Sequence, residues 1–419
     1  MKNYLIRFLY KTAKNIYWKL PSPVRNKLVG EAHSVVRHLR SLGGGNYKKV
    51  SCVDISWQLF NETVLSKKDD TKKVIVFERN IDWDIPLFQR PQHFSIALGN
   101  LGHIVIYMTT GDGVKGFRNV AANVWLSNDE SVALIPHAYH IFLSTSLMAS
   151  SRTMEKVKKN GYVIYDYVDH IDPLISGGQR EILRLLDMKT KAFSGCADYI
   201  ITTAKQLYME ATTHVDSAIC SYIPNGVDVE HYRKAIKTDC VLPENLVAFR
   251  RKYRITVGYF GAMAPWLWYD LIDLISSKMP DVGFIFIGPD YQGGLEKLPL
   301  KDNIIYCGAV EYNKLPSYGN LFDISFIPFE PSEIASSTSP LKLFEYFALG
   351  KPVVVTECMN ECTVYGEVFS GTDALSFIKA INLASQYIGD AAYISKLREL
   401  AEKNSWSVRA EKFDRDILS

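Results

Sequence analysis

No run of about 18 uncharged apolar residues occurs in the 419-residue chain, so no membrane-spanning helix is expected. The opening stretch, Met1 to Asn15, carries a charge every few positions, which excludes the apolar core of a secretory signal and makes a cytoplasmic location the default expectation. Cysteine is sparse and odd in number: the seven residues include no CxxC pair and no histidine at zinc-finger spacing, so neither a disulfide framework nor a structural zinc site is expected. Low-complexity tracts and short-period repeats are missing too. Acid is nearly missing from one place. Between Met1 and Lys49 eleven Lys or Arg accompany the single acid Glu31, a net +10 that leaves −7 on the remainder.

Within that basic head, Leu5, Phe8, Leu9, Ile16, Tyr17 and Leu20 recur at helical spacing and Pro21 and Pro23 end the pattern. A second such run, Leu28 to Leu39, stops at Gly43-Gly44-Gly45. The pattern predicts a basic amphipathic helical extension over residues 1–70, with residues 1–45 lying on an anionic inner-membrane surface, where each nearby Lys or Arg contributes about 1 kcal/mol. Helices packed on the protein's own body are the alternative; nucleic acid is not expected, because no stacking aromatics accompany the charge.

From Lys72 the pattern changes to short apolar runs separated by helical stretches. Val74–Phe77, Ile104–Met108, His140–Leu143, Tyr162–Tyr165 and Tyr199–Ile201 have the composition of strands buried on both faces. A second series follows at Thr256–Phe260, Gly283–Ile287, Asn303–Tyr306, Ile324–Pro328 and Pro352–Thr356. Between the two series lie the turn Ile223-Pro224-Asn225-Gly226-Val227-Asp228 and an irregular charged stretch. The expectation is an α/β protein of two tandem Rossmann-like domains, 71–245 and 246–400, facing a cleft, with a closing helix over 401–419.

Ser336 to Val355 carries the strongest signal. It predicts a polar loop, a short helix opening at Pro340 and ending at Gly350, then a buried strand. A helix N-terminus offers free N–H groups and a positive dipole end to an anion, and Lys342 adds a charge in its first turn. Glu345, three residues on, shares that side and could accept two hydrogen bonds from a ribose diol. Phosphate plus ribose implies a nucleotide; an ordinary capped helix with a surface Lys–Glu pair is the alternative.

The segment resembles the donor motif of GT-B glycosyltransferases, in particular the retaining family-4-like group that builds teichuronic-acid, O-antigen and capsule polysaccharides. Pro340, Lys342, Glu345, Tyr346, Ala348, Gly350, Lys351, Pro352, Val353 and Val354 carry the match. Ile223 to Asp228, Val257 to Gly261, Asp82-Trp83 with Gln89 to His93, and Tyr165 to Asp169 agree with it, as does the stretch from Trp406 to Leu418. The resemblance implies a hexosyl transfer from a nucleotide-sugar, a UDP-sugar first, to a lipid-linked or growing polysaccharide, with retention and without a metal. It implies donor contacts at Gly261, Ser339, Pro340, Leu341, Lys342 and Glu345, with Lys342 and Asp169 nearest the chemistry and Arg90, His170 and Glu333 towards acceptor or sugar.

The chain departs from that pattern at three places. Ser337 stands where the family's first glutamate would be, leaving its sugar contact to Glu330 or Glu333 if it is made. Neither usual cation follows Gly261, where Ala262 to Leu267 instead bring Trp266, with Trp268 close behind. Asp169, followed by His170, replaces the expected histidine. Asp82-Trp83-Asp84 matches the D-x-D metal motif in the wrong context, so no metal is expected. Two competing readings remain: a nucleotide-sugar 2-epimerase and a non-catalytic scaffold.

Overall fold

The structure, a computed structural model, describes residues 53–85, 88–173, 179–235 and 241–419; the basic head, Met1 to Lys49, lies outside them. Two sheets are formed. The first comprises β1 (Val74–Phe77), β2 (Ile104–Met108), β3 (Phe117–Ala121), β4 (Val124–Ser127), β5 (Tyr139–Leu143), β6 (Tyr162–Tyr167), β7 (Tyr199–Thr202) and β8 (Cys220–Tyr222) in the order β3-β4-β2-β1-β5-β6-β7-β8. Every neighbouring pair is parallel except the β3–β4 hairpin at the edge. The second comprises β9 (Ile255–Phe260), β10 (Val282–Ile287), β11 (Ile304–Tyr306), β12 (Ile324–Ile327), β13 (Val353–Thr356) and β14 (Val368–Gly371) in the order β11-β10-β9-β12-β13-β14, all parallel.

Parallel strands need helical crossovers, which cover both faces of the sheet, so the central strands carry no polar alternation. Ile75, Val76, Val105, Ile141, Ile164, Ile200, Phe284, Ile324 and Val354 are each fully buried. All ten strands expected from the apolar runs are present, within two residues at either end. β3, β4, β8 and β14 were not foreseen; their burial is broken by half-exposed positions, so no continuous run marks them.

The expected extension over residues 1–70 needs a correction at its inner end. Ile55 pairs with Phe117 through two backbone hydrogen bonds of 2.8 and 2.9 Å, Phe60 stacks on Phe117 at 4.0 Å, and Arg118 donates through Nε and Nη2 to the two carboxylate oxygens of Asp54. From residue 53 the described chain therefore belongs to the edge of the first domain, because β3 exposes aromatic surface that this segment covers.

The chain passes between the domains twice. After Ile223-Pro224-Asn225-Gly226 it enters the second domain, and after the helix Ala391–Lys403 it returns. The two crossings touch: Val227 N donates to Asn404 O and Trp406 N to Val227 O, both at 3.1 Å. Gly226 is required there, since a Cβ would lie 2.9 Å from Asn404 O. The returning helix, Trp406–Phe413, buries Trp406 and Phe413 against Phe94 of the first domain.

Candidate active site

The site is built where the carboxyl ends of the two sheets meet. In the second domain, β12 leads through the short helix Glu333–Ser337 to Thr338, Ser339 and Pro340, and then to the helix Leu341–Leu349. Pro340 is extended and caps that helix without a side-chain hydrogen bond, so the first-turn N–H groups have no side-chain acceptor. Gly350 ends it in the left-handed conformation at φ 68°.

Lys342 sits in the first turn, half-buried, with its ammonium 5.4 Å from the Tyr259 ring centre and 5.1 Å from that of Phe329. Among the described residues no carboxylate lies within 4.0 Å of it. Burial lowers its pKa, opposed by Glu345, Cys362 and Asp169. Gly261, which directly follows β9 with φ 148°, makes room for it: a Cβ there would lie 2.9 Å from Lys342 Cε and 2.6 Å from the Tyr259 hydroxyl.

Asp169 faces Lys342 from the first domain, close enough for each to feel the other's charge. It follows β6 in a loop held by Ser144, whose Oγ accepts from Val168 N at 3.0 Å, and by Thr203, which donates to Val168 O. Burial pushes its carboxyl up to about 7, with Lys342 and Arg90 opposing and Asp166 reinforcing the rise. A carboxyl poised there can hold or release a proton near neutrality. His170 and Glu333 meet across the cleft at 3.1 Å, although Glu333 is largely exposed and the pair adds little to stability.

Glu345 is buried on the same side of the helix as Lys342, and burial pushes its carboxyl up to about 7 despite the Tyr232 hydroxyl and Lys342. Ser339 is 3% exposed and engaged with the first domain: Asn225 Nδ2 donates to its carbonyl at 2.6 Å and Asn225 N to its Oγ at 3.3 Å. Leu341 packs on the apolar core of the first domain. The structure thus gathers Asp169, His170, Gly261, Glu333, Ser339, Pro340, Leu341, Lys342 and Glu345 around one junction.

Arg90 is not open to the cleft. It is 2% exposed, its Nε donates to Asp166 at 2.8 Å, and its Nη1 reaches Pro224 O and Asn225 Oδ1, both at 3.3 Å. Glu78, on the neighbouring loop after β1, pairs with His140 at 2.8 Å. Arg90 therefore fastens the Pro224-Asn225 turn, which in turn holds Ser339.

Asp82 is likewise engaged, accepting from Thr109 Oγ1 and Gly111 N at 2.9 and 2.8 Å and so tying the loops after β1 and β2 together. Among the described residues no three His, Cys, Asp or Glu side chains gather as metal ligands would. Trp268 packs into the core of the second domain and Trp266 lies near Tyr291. In the sequence Asn225 is a turn residue and no more; its grip on Ser339 joins positions 114 apart. The rings of Tyr259 and Phe329 about Lys342 were equally hidden, one being an ordinary aromatic of β9 and the other lying just past β12.

Residues 254–385 match the family model described as Glycosyl transferases group 1. A Bacillus subtilis (strain 168) protein, TuaH, named as a teichuronic acid biosynthesis glycosyltransferase, is 32% identical over 193 residues, or 44% of this chain and 47% of that one. The chain thus aligns with about half the length of that relative. Among solved structures, Anabaena HepE in complex with UDP and glucose shares 15% identity, with 83% of this chain and 99% of the other covered at a TM-score of 0.58. A trehalose-phosphate synthase from Burkholderia vietnamiensis shares 12% identity, with 83% and 97% covered at a TM-score of 0.60. The chain thus has the two-domain GT-B fold, and residues 254–385 of its second half are similar to the group 1 glycosyl transferases.

Proposed function

We propose that the chain is a retaining glycosyltransferase that moves a hexosyl group from a UDP-sugar to a lipid-linked or growing surface polysaccharide at the inner face of the cell membrane. The observation that carries this reading is Lys342, with no carboxylate within 4.0 Å among the described residues, beside a helix N-terminus without a side-chain cap and facing Asp169 across the cleft. Similarity to a protein named for teichuronic acid synthesis supports the class of acceptor, and the likeness to a fold solved with UDP and glucose supports the donor.

Glycosyl transfer passes through an oxocarbenium-like transition state while negative charge builds on the departing phosphate. First-turn N–H groups and the Lys342 ammonium, aimed at that phosphate from a half-buried position, stabilise the developing charge more than the ground state. Glu345 accepts from the ribose diol. Asp169, with a pKa near neutrality, orients a hydroxyl of the sugar or acceptor. The cation and helix dipole carry the phosphate charge in this reading, which calls for no metal.

The test is thermal stabilisation by UDP, GDP, dTDP, ADP and CMP, because a ligand that binds only the folded state raises the midpoint by mass action. UDP is expected to raise it most, and release of UDP from a UDP-hexose on adding acceptor completes the assignment. A folded sample that responds to none of these nucleotides overturns the reading and favours a scaffold.

A further inference from the structure

A buried hydroxyl without a partner marks an unused part of this site. Tyr232 stands on the helix Val229–Ala235, immediately after the turn that joins the domains, and is fully buried. Its hydroxyl makes no well-formed hydrogen bond to any described group, while the helix that carries it packs directly on the helix Leu341–Leu349 that carries Glu345, and the hydroxyl there favours the ionised carboxyl. A phenylalanine would fill the same space without leaving a polar atom unsatisfied, so the hydroxyl is a cost to the empty site. Tyr312 repeats the pattern: its hydroxyl is also buried without a partner and senses the charge of Glu345.

Neither ring is free to swing away. Tyr312 is stacked between His231, at 4.1 Å and 10°, and Phe88, at 5.6 Å and 15°. The His231 ring, through Nε2, also bonds the Tyr312 carbonyl at 3.0 Å. Tyr232 meets both rings edge-on, at 5.3 Å from His231 and 6.4 Å from Tyr312. The three oxygen-bearing groups therefore converge from three elements, and Glu345 retains a small exposed edge.

We propose that Tyr232 is a positioning residue that fixes the Glu345 carboxylate for the vicinal diol of a nucleotide ribose, with Tyr312 as its second support. This rests on the donor-site reading above. A carboxylate offers about four acceptor positions. Two filled by the diol and one by the Tyr232 O–H would satisfy both partners at once, so the phenol contributes most when a diol is bound. The site then prefers ribonucleotides over 2′-deoxyribonucleotides, and that preference depends on Tyr232.

The experiment measures UDP and dUDP affinities by calorimetry for the full chain, Tyr232→Phe, Glu345→Gln and the double variant. Tyr232→Phe should weaken UDP about fivefold to tenfold and dUDP less than about twofold, collapsing the ribose preference. In the Glu345→Gln background the same change should add nothing, as coupled partners require. Equal losses for both nucleotides, or none for either, overturn the inference while leaving UDP binding by the wild type intact. A folded wild type that binds no nucleoside diphosphate overturns the donor site and this inference together. Tyr312→Phe gives an independent reading, with the same selective loss expected.

Discussion

Replacing Lys342 by methionine should move binding and stability in opposite directions. Lys342 is half-buried, has no carboxylate within 4.0 Å among the described residues, and lies against the rings of Tyr259 and Phe329. Such cation–ring contacts contribute about 0.5–1 kcal/mol each, which burial of the charge offsets. Methionine keeps the apolar stem and its own affinity for ring edges. The empty Lys342→Met protein should therefore stay within about 1 kcal/mol of wild type, with its melting midpoint unchanged or raised.

The bound state loses more. A charge-assisted contact to a phosphate contributes about 1.5–3 kcal/mol, so UDP affinity should fall by about tenfold to a hundredfold. Calorimetric titration with UDP and a thermal melt of the empty protein, run on the same samples, read the two effects. A variant that melts much earlier yet binds UDP as well as wild type would refute the reasoning, since Lys342 would then be a structural residue.

Four further outcomes follow from the geometry. Asp169 binds its proton more tightly folded than unfolded, so its ionisation lowers stability as pH rises from about 4 to about 7 and the penalty then levels off. Asp169→Asn should accordingly gain stability relative to wild type in melts above pH about 7 compared with pH about 5; a difference independent of pH would remove Asp169 from its buried setting. Gly261→Ala forces a Cβ against Tyr259 and Lys342 at a positive φ, and should cost about 1–3 kcal/mol in denaturant melts together with weaker UDP binding; normal affinity would show that the cradle is not tight. Glu361→Ala removes the carboxylate that accepts from Lys205 N at 2.6 Å and from the Tyr222 hydroxyl across the domains, and should cost about 1–3 kcal/mol, with coincident loss of both domains' signals refuting a role in joining them. Deleting residues 1–45 should abolish sedimentation with anionic vesicles; a truncated chain that still sediments would place any membrane contact elsewhere.

The fully covered strands were legible because burial on both faces leaves an unbroken apolar run, as in Val353 to Thr356. The edge hairpin was not, since Arg118 and Asn119 interrupt its apolar pattern and its cover comes from a segment about 60 residues earlier. At the site, Lys342 and Glu345 were legible because helical spacing places them on one side of a single helix. The setting of Arg90 was not legible, because its partner, Asp166, lies 76 residues away and no spacing in one chain reports such a meeting. Tyr232 and Tyr312 escaped for the same reason: their hydroxyls acquire meaning only beside Glu345.

The touching crossings at Val227 and Asn404–Trp406 set the mechanics of the molecule. One crossing would act as a swivel, free to turn about several axes. Two side by side act as a door hinge, leaving opening and closing as the easy motion and resisting twist or slide. His170 and Glu333, together with Asn225 and Ser339, lie on the faces that such a door brings together. A nucleotide seated on the second domain would therefore meet Asp169 along a single repeatable path, with alignment of the two halves set by the hinge rather than by the ligand.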